Sequence, residues 1–192
     1  AYGVATGDVY LAATGMNAMY GLYRSLTRLQ QARERPRWVR LGWVFMDSMK
    51  IVDTFSGDGL SRAVPAALDL PGLERLLDEC GHEVAAIFTE APSNPLVQTP
   101  DLPRLRALAD QHGCALVLDA TLGTPHNVDV LPYADALVES LTKYANGAAD
   151  VMMGAVVLNA RAPWYPALAT QLPDVLEAPY ERDVRRLAFN IT

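Results

Sequence analysis

A lysine flanked by hydroxyl residues is the part of this sequence best equipped for covalent chemistry. In Ser140-Leu141-Thr142-Lys143-Tyr144, the apolar run Ala134 to Val138 leads in and the turn signal Asn146-Gly147 closes the segment. Lys143 therefore falls just past the end of a buried strand, where partial desolvation lowers an ammonium pKa and frees the amine as a nucleophile. Ser140 and Thr142 offer hydroxyls to an anion such as phosphate. The plainer alternative is a strand that ends in an exposed lysine. Asp119 ends a second apolar run, Ala115 to Leu118. An acid there is costly unless paired. A cation or a protonated heterocycle would suit it, as would an ordinary cap or ion pair. Thr14-Gly15 stands where a strand gives way to a helix, a junction that points backbone N–H groups at an anion. Asn94, between Pro92 and Pro95, is a held polar group or a turn former. Phe45, at the end of an aromatic-rich strand, is a core ring or a ring stacked on a planar ligand.

The elements that must position these residues alternate. Val9 to Ala13 predicts a strand, and Met16 to about Arg33 a helix with Leu22, Leu26 and Leu29 on one face. Trp38 to Phe45 predicts a strand, then Asp47 to Phe55 a short helix capped by Asp47 or Ser48. Leu73 to Leu77 reads as helix and Val84 to Thr89 as strand. Asp101 caps a helix from Leu102 to His112 that Gly113 stops. Ala115 to Leu118, Leu131 to Val138 and Val151 to Leu158 are further strands. The alternation predicts an α/β fold with a mainly parallel sheet. Gly15, Phe45, Asn94, Asp119 and Lys143 then fall at or just after carboxyl ends of strands, where such sheets bind ligands.

Composition narrows the classes. The 192 residues are enough for one sizeable domain, and 51% hydrophobic with 20% charged is globular usage. A net charge of −6 without a basic stripe argues against nucleic acid, and the interrupted stretch Arg33 to Arg40 reads as a solvated helix end. Cys80 and Cys114 lack metal or redox spacing and suit a reducing, cytoplasmic setting; His82, His112 and His126 show no metal-ligand spacing. No apolar run reaches membrane-spanning length. Asn190-Ile191-Thr192 matches a glycosylation acceptor by chance in such a chain. The start at Ala1 and the unfinished helical pattern at the end read as a piece of a longer protein.

There is no G-x-G-x-x-G, Walker A, H-E-x-x-H or G-x-S-x-G. A strand-end acid, a lysine, hydroxyls and a helix N-terminus remain. Pyridoxal phosphate (PLP) needs this set: a Schiff-base lysine, an acid for the pyridinium nitrogen and donors for the phosphate.

Four segments carry a family resemblance: Ala13 to Ala18, Ala91 to Leu96, Val117 to Thr121 and Ser140 to Tyr144, the last extended by Asn146 to Met152. The chain resembles the Cys/Met-metabolism (trans-sulfuration) family of fold-type I PLP-dependent enzymes. Phe45 to Ile51, Val128 to Asp135 and Gly154 to Asn159 resemble its fungal-type cystathionine γ-synthase branch. The resemblance implies a large PLP-binding domain, an α/β/α sandwich, over residues 1–178, and over residues 179–192 the start of a helix leading to a carboxyl-terminal domain. It implies that Lys143 carries the cofactor and moves the substrate's α and β protons. Asp119 would pair with the pyridinium nitrogen. The amides of Gly15 and Met16 with the hydroxyls of Ser140 and Thr142 would hold the phosphate. Thr121 would lie under the ring, Asn94 would approach its phenolic oxygen, and Phe45 would stack on it where the family usually has Tyr. Phe45 can stack but cannot carry a proton. Ala120, Ala148 and Ala149 also depart from the family pattern, beside the site. The implied activity is γ-replacement on an O-acyl-homoserine by cysteine. A carbon–sulfur lyase acting on cystathionine, or an O-acylhomoserine sulfhydrylase, is the alternative within the family; a non-catalytic assembly or binding domain is the alternative outside it. A homodimer or homotetramer with shared sites is implied, without membrane or nucleic-acid partners.

Overall fold

The computed structural model describes residues 3–191; Ala1, Tyr2 and Thr192, the last position of the acceptor motif, lie outside the described residues. Among these, seven strands form one sheet in the order β1-β7-β6-β5-β4-β2-β3. They are β1 (Val9–Ala12), β2 (Arg37–Leu41), β3 (Ser61–Val64), β4 (Val84–Glu90), β5 (Ala115–Asp119), β6 (Ala136–Ser140) and β7 (Gly154–Leu158). Strands β2 to β6 pair in parallel, while β7 runs antiparallel to both β6 and β1. The carboxyl ends of six strands therefore share one edge with the amino end of β7.

The helices are α1 (Gly15–Gln31), α2 (Met46–Ser56), α3 (Leu70–Cys80), α4 (Leu102–His112), α5 (Thr124–Asn127), α6 (Tyr165–Val175) and α7 (Glu181–Asn190). Strand side chains alternate between two cores. Val39, Ile87, Leu116, Leu118 and Leu137 pack with the leucines of α3 and α4. Trp38, Phe88, Val117, Val138 and Val156 pack with α1, α2 and α6. Each such side chain, fully buried, contributes about 1.5–3 kcal/mol. With both faces covered, no strand residue needs to be polar, and every residue of β4 is buried. The result is an α/β/α sandwich with a mainly parallel sheet, as expected.

Several boundaries differ from the sequence expectation. The strand predicted over Trp38 to Phe45 ends at Leu41, because Gly42 turns the chain at φ +79. That turn leaves Phe45 49% exposed, so it is not a core ring. Neither Asp47 nor Ser48 caps α2; Phe45 holds the N-cap position without a side-chain bond. The strand predicted from Leu131 begins at Ala136, since Pro132 sits in a 3-10 turn, Leu131–Tyr133. The strand predicted from Val151 begins at Gly154. Within Arg33 to Arg40, Arg35 is not a solvated helix end: its Nη1 donates to the carbonyls of Gly81, Val84, His112 and Gly113. The α4 signals hold as written, with Asp101 accepting the Arg104 N–H and Gly113 left-handed at φ 63.

Candidate active site

The phosphate-type cradle is assembled from three strand ends. Thr14 caps α1 by accepting the Asn17 N–H at 2.9 Å. That leaves the Gly15 and Met16 amides among the unpaired donors of the first turn, at the positive end of the helix dipole. Gly15 is needed for the approach: a Cβ there would lie 2.8 Å from Ser140 Cβ. Gly154, opening β7, allows the same crossing, since its Cβ would lie 2.3 Å from the Thr14 carbonyl oxygen. The start of α1 thus passes over β7 and meets Ser140 at the end of β6. Thr142 is engaged otherwise. Its Oγ1 accepts the Met153 N–H at 3.0 Å and donates to the Met153 carbonyl at 3.3 Å, which pins the lysine loop to the lead-in of β7.

Lys143 lies in the turn after β6, where its N–H donates to the Ser140 carbonyl at 3.1 Å and its carbonyl accepts from Gly147 at 3.2 Å. Its side chain is exposed, so this chain's own residues do not supply the shielding expected of it. Thr121 Oγ1 accepts the Ser140 N–H at 2.9 Å, tying the lysine strand to β5.

Asp119 ends β5, and its Oδ1 accepts the Thr121 N–H at 2.9 Å. Part of the residue still meets solvent, yet the protein mass around its carboxyl raises its pKa, against the opposing hydrogen bonds from Thr121. No ion pair reaches Asp119 among the described residues. A carboxyl held this way gains from a cationic N–H placed against it, and that is what a protonated pyridine offers. The donor set and the glycine cradle fit PLP.

Beyond Asp119 comes Glu90, at the end of β4 and beside Asp119 in register. Its carboxylate takes the Phe45 and Asn94 amides. Asn94 itself is exposed in the turn that follows, where Ser93 N–H donates to the Gln98 carbonyl at 2.9 Å. Sequence reasoning missed Glu90; the only signal was an acid closing an otherwise apolar strand, the signal that singled out Asp119.

Other chemistry is poorly placed. Burial pushes the Cys114 thiol up to about 12, and Cys80 Sγ donates to the Leu76 carbonyl. A cleft of about 860 Å³ runs along α7, lined by Asp150, Asp183, Arg186 and Phe189 among others; none of the predicted site residues lines it. It is an open groove between α7 and the loop that joins β6 to β7.

An α/β/α sandwich with an anion cradle, a desolvated acid and a lysine on its carboxyl edge defines a class of cofactor-dependent enzymes. The family of Cys/Met metabolism PLP-dependent enzymes matches residues 8–174, and the chain belongs to it. Among curated relatives, the L-2-amino-4-chloropent-4-enoate dechlorinase/desaturase of Streptantibioticus cattleyicolor is 47% identical, over 100% of this chain and 38% of that protein. The cystathionine γ-synthase of Neurospora crassa is 39% identical, over 90% of this chain and 28% of that protein. The chain therefore spans well under half the length of these relatives. Solved structures show the same fold: a methionine γ-lyase from Micromonospora echinospora has a TM-score of 0.76 at 23% identity, covering 95% of this chain and 48% of that one. A cystathionine γ-synthase from Xanthomonas oryzae pv. oryzae has a TM-score of 0.74 at 24% identity, covering 95% and 46%. No helix among the described residues is long and apolar enough to cross a membrane.

Proposed function

We propose that the whole protein removes a substituent from the γ carbon of an amino acid, using PLP held at the carboxyl edge of this sheet. The observation that carries the reading is Asp119, a desolvated acid without an ion-pair partner among the described residues, between the Gly15–Ser140 cradle and the Asn94 loop. PLP, when bound, supplies the electron sink for carbanions at the substrate's α and β carbons. Asp119 would keep the ring nitrogen protonated, while the Gly15 and Met16 amides and Ser140 Oγ would anchor the phosphate. Thr142 would hold the lysine loop, with its hydroxyl already committed to Met153. Asn94 would address the phenolic oxygen, and Thr121 would lie under the ring as it ties β5 to β6. Lys143 Nζ would take the α proton, release it to the cofactor's carbonyl-derived carbon, and, neutral again, take the β proton, so that the γ substituent could leave with its bonding pair. Phe45 would cover the ring without sharing that proton traffic, which puts the burden on Lys143.

The γ-replacement form, with O-acyl-homoserine and cysteine giving cystathionine, is supported by the cystathionine γ-synthase relatives. A second reading has its own support: the 47% identical relative is named for a substrate with chlorine on the γ carbon and for desaturation. Here the γ group would leave without an incoming thiol. Offering the whole protein O-acyl-homoserine plus cysteine, cystathionine alone, and a γ-chloro unsaturated amino acid separates these. Cystathionine by mass spectrometry marks replacement, its breakdown marks lyase activity, and chloride release marks elimination. Failure on all three, with cofactor bound, would sink γ-carbon chemistry. The reading also expects Lys143→Ala to abolish the visible Schiff-base band and cut turnover by a factor on the order of 10⁴ or more.

A further inference from the structure

Glu90 is a buried acid whose two oxygens serve two different loops. Oε1 accepts the Phe45 N–H at 2.6 Å, and Oε2 accepts the Asn94 N–H at 3.0 Å. The first amide belongs to the connection after β2 and the second to the turn after β4. Those loops carry the side chains assigned to the face of the ring and to its phenolic oxygen. Asp119 is the lateral neighbour, and the Ala91 N–H donates to the Asp119 carbonyl at 3.0 Å.

The sheet does not need this acid for its own cohesion. Thr89 already joins the two strand ends, its Oγ1 donating to the Leu41 carbonyl at 2.7 Å. A carboxylate desolvated beside another acid is expensive compared with an apolar side chain of similar volume. Burial raises its pKa, the Asp119 charge adds to the rise, and the two amides oppose it. What the acid does that an apolar side chain cannot is accept from both loops at once.

We infer that Glu90 is a positioning residue: one carboxylate ties the Phe45 loop to the Asn94 loop on the β4 side of the β5 end, and so sets the slot for the cofactor ring. The inference rests on the PLP reading above and extends it to a residue that touches neither cofactor nor substrate.

The test uses Glu90→Gln and Glu90→Leu in the whole protein. Without cofactor, amide exchange at Phe45 and Asn94 accelerates in Glu90→Leu by about tenfold or more, as for the loss of a charge-assisted hydrogen bond. Glu90→Gln keeps one acceptor and the shape, so it exposes one of the two amides even if the leucine variant does not fold. With PLP added, both folded variants keep the visible band because Lys143 is intact. The induced circular dichroism of that band per unit absorbance falls, and the cofactor dissociation constant rises about tenfold, the equivalent of one such bond. Unchanged exchange at both amides overturns the inference. Faster exchange with unchanged dichroism and affinity also overturns it, because Glu90 is then a structural tie only. A wild type with no visible band sinks the cofactor reading and this inference together, whereas a wild-type band indifferent to Glu90 sinks this inference alone.

Discussion

Phe45 shows how much one residue can state about a reaction. Proposed to stack on the cofactor ring, it is exposed and gives its amide to Glu90. An aromatic pair adds about 0.5–1.5 kcal/mol beyond area burial. Phe45→Ala should therefore weaken PLP binding roughly two- to tenfold, read by equilibrium titration, while Phe45→Tyr should leave affinity nearly unchanged. A large affinity change on Phe45→Tyr would mean that the ring does not lie flat on the cofactor. Asp119 could be picked out in the sequence as a candidate because it closes an apolar run, and Ser140 and Lys143 because they follow one. Glu90 obeys the same pattern, but its partners are 45 and 4 positions away, and no local signal joins it to Phe45. The commitment of Thr142 to Met153 was equally hidden, since a hydroxyl beside a lysine reads the same whether it faces an anion or a backbone amide.

At the scale of elements, glycines shape the carboxyl edge of the sheet and one arginine ties its amino edge. At Gly154 a Cβ would lie 2.3 Å from the Thr14 oxygen and 2.6 Å from its carbonyl carbon, backbone atoms that cannot rotate away. Gly154→Ala should cost about 1–3 kcal/mol, as overpacking does, and should lift the start of α1 from Ser140. The checks are a lower unfolding midpoint and weaker binding of both PLP and inorganic phosphate. Normal phosphate binding in a destabilised variant would contradict the cradle described above. At the amino edge, Arg35 Nη1 gathers four carbonyls from the starts of β4 and β5. Hydrogen bonds to a charged group contribute about 1.5–3 kcal/mol, so Arg35→Met should destabilise by at least that much in denaturant titration and leave the chemistry of the folded fraction intact. Helix α4 was readable to the residue because Asp101 and Gly113 are terminal signals. Strand β3 was not, because Ser61–Val64 is an edge strand with a single buried position, Val64. Strand β2 was overextended because Val44 and Phe45 continue the apolar pattern past Gly42, and only the positive φ of Gly42 ends it.

Across the whole molecule, desolvated acids at either end of the central strands give the cofactor-free protein a distinctive response to pH. Burial raises the pKa of Asp119, of Glu90 and of Asp135, which precedes β6 and accepts from Arg106 Nη1 at 2.8 Å; Arg106 offsets the rise only partly. A raised folded pKa means that the folded chain binds protons more tightly than the unfolded chain. Each group's stabilising contribution is therefore present in acid and is lost as pH rises from the ordinary carboxylate value through the folded pKa. Glu83 and Asp150 act in the opposite sense, lowered first by their hydrogen bonds to Arg37 and Arg186, but both are surface pairs that salt screens. In moderate salt, Asp119→Asn should raise the unfolding midpoint of the cofactor-free whole protein at about pH 7 and have little effect at about pH 4, where ordinary carboxylates protonate. Calorimetry at the two pH values reads the difference. Adding PLP should invert the sign at neutral pH, because the wild-type carboxylate then has a pyridinium to pair with and the asparagine does not. A variant stabilised equally at both pH values, or one that PLP stabilises as much as it stabilises the wild type, would show that Asp119 is not the acid that receives the ring nitrogen.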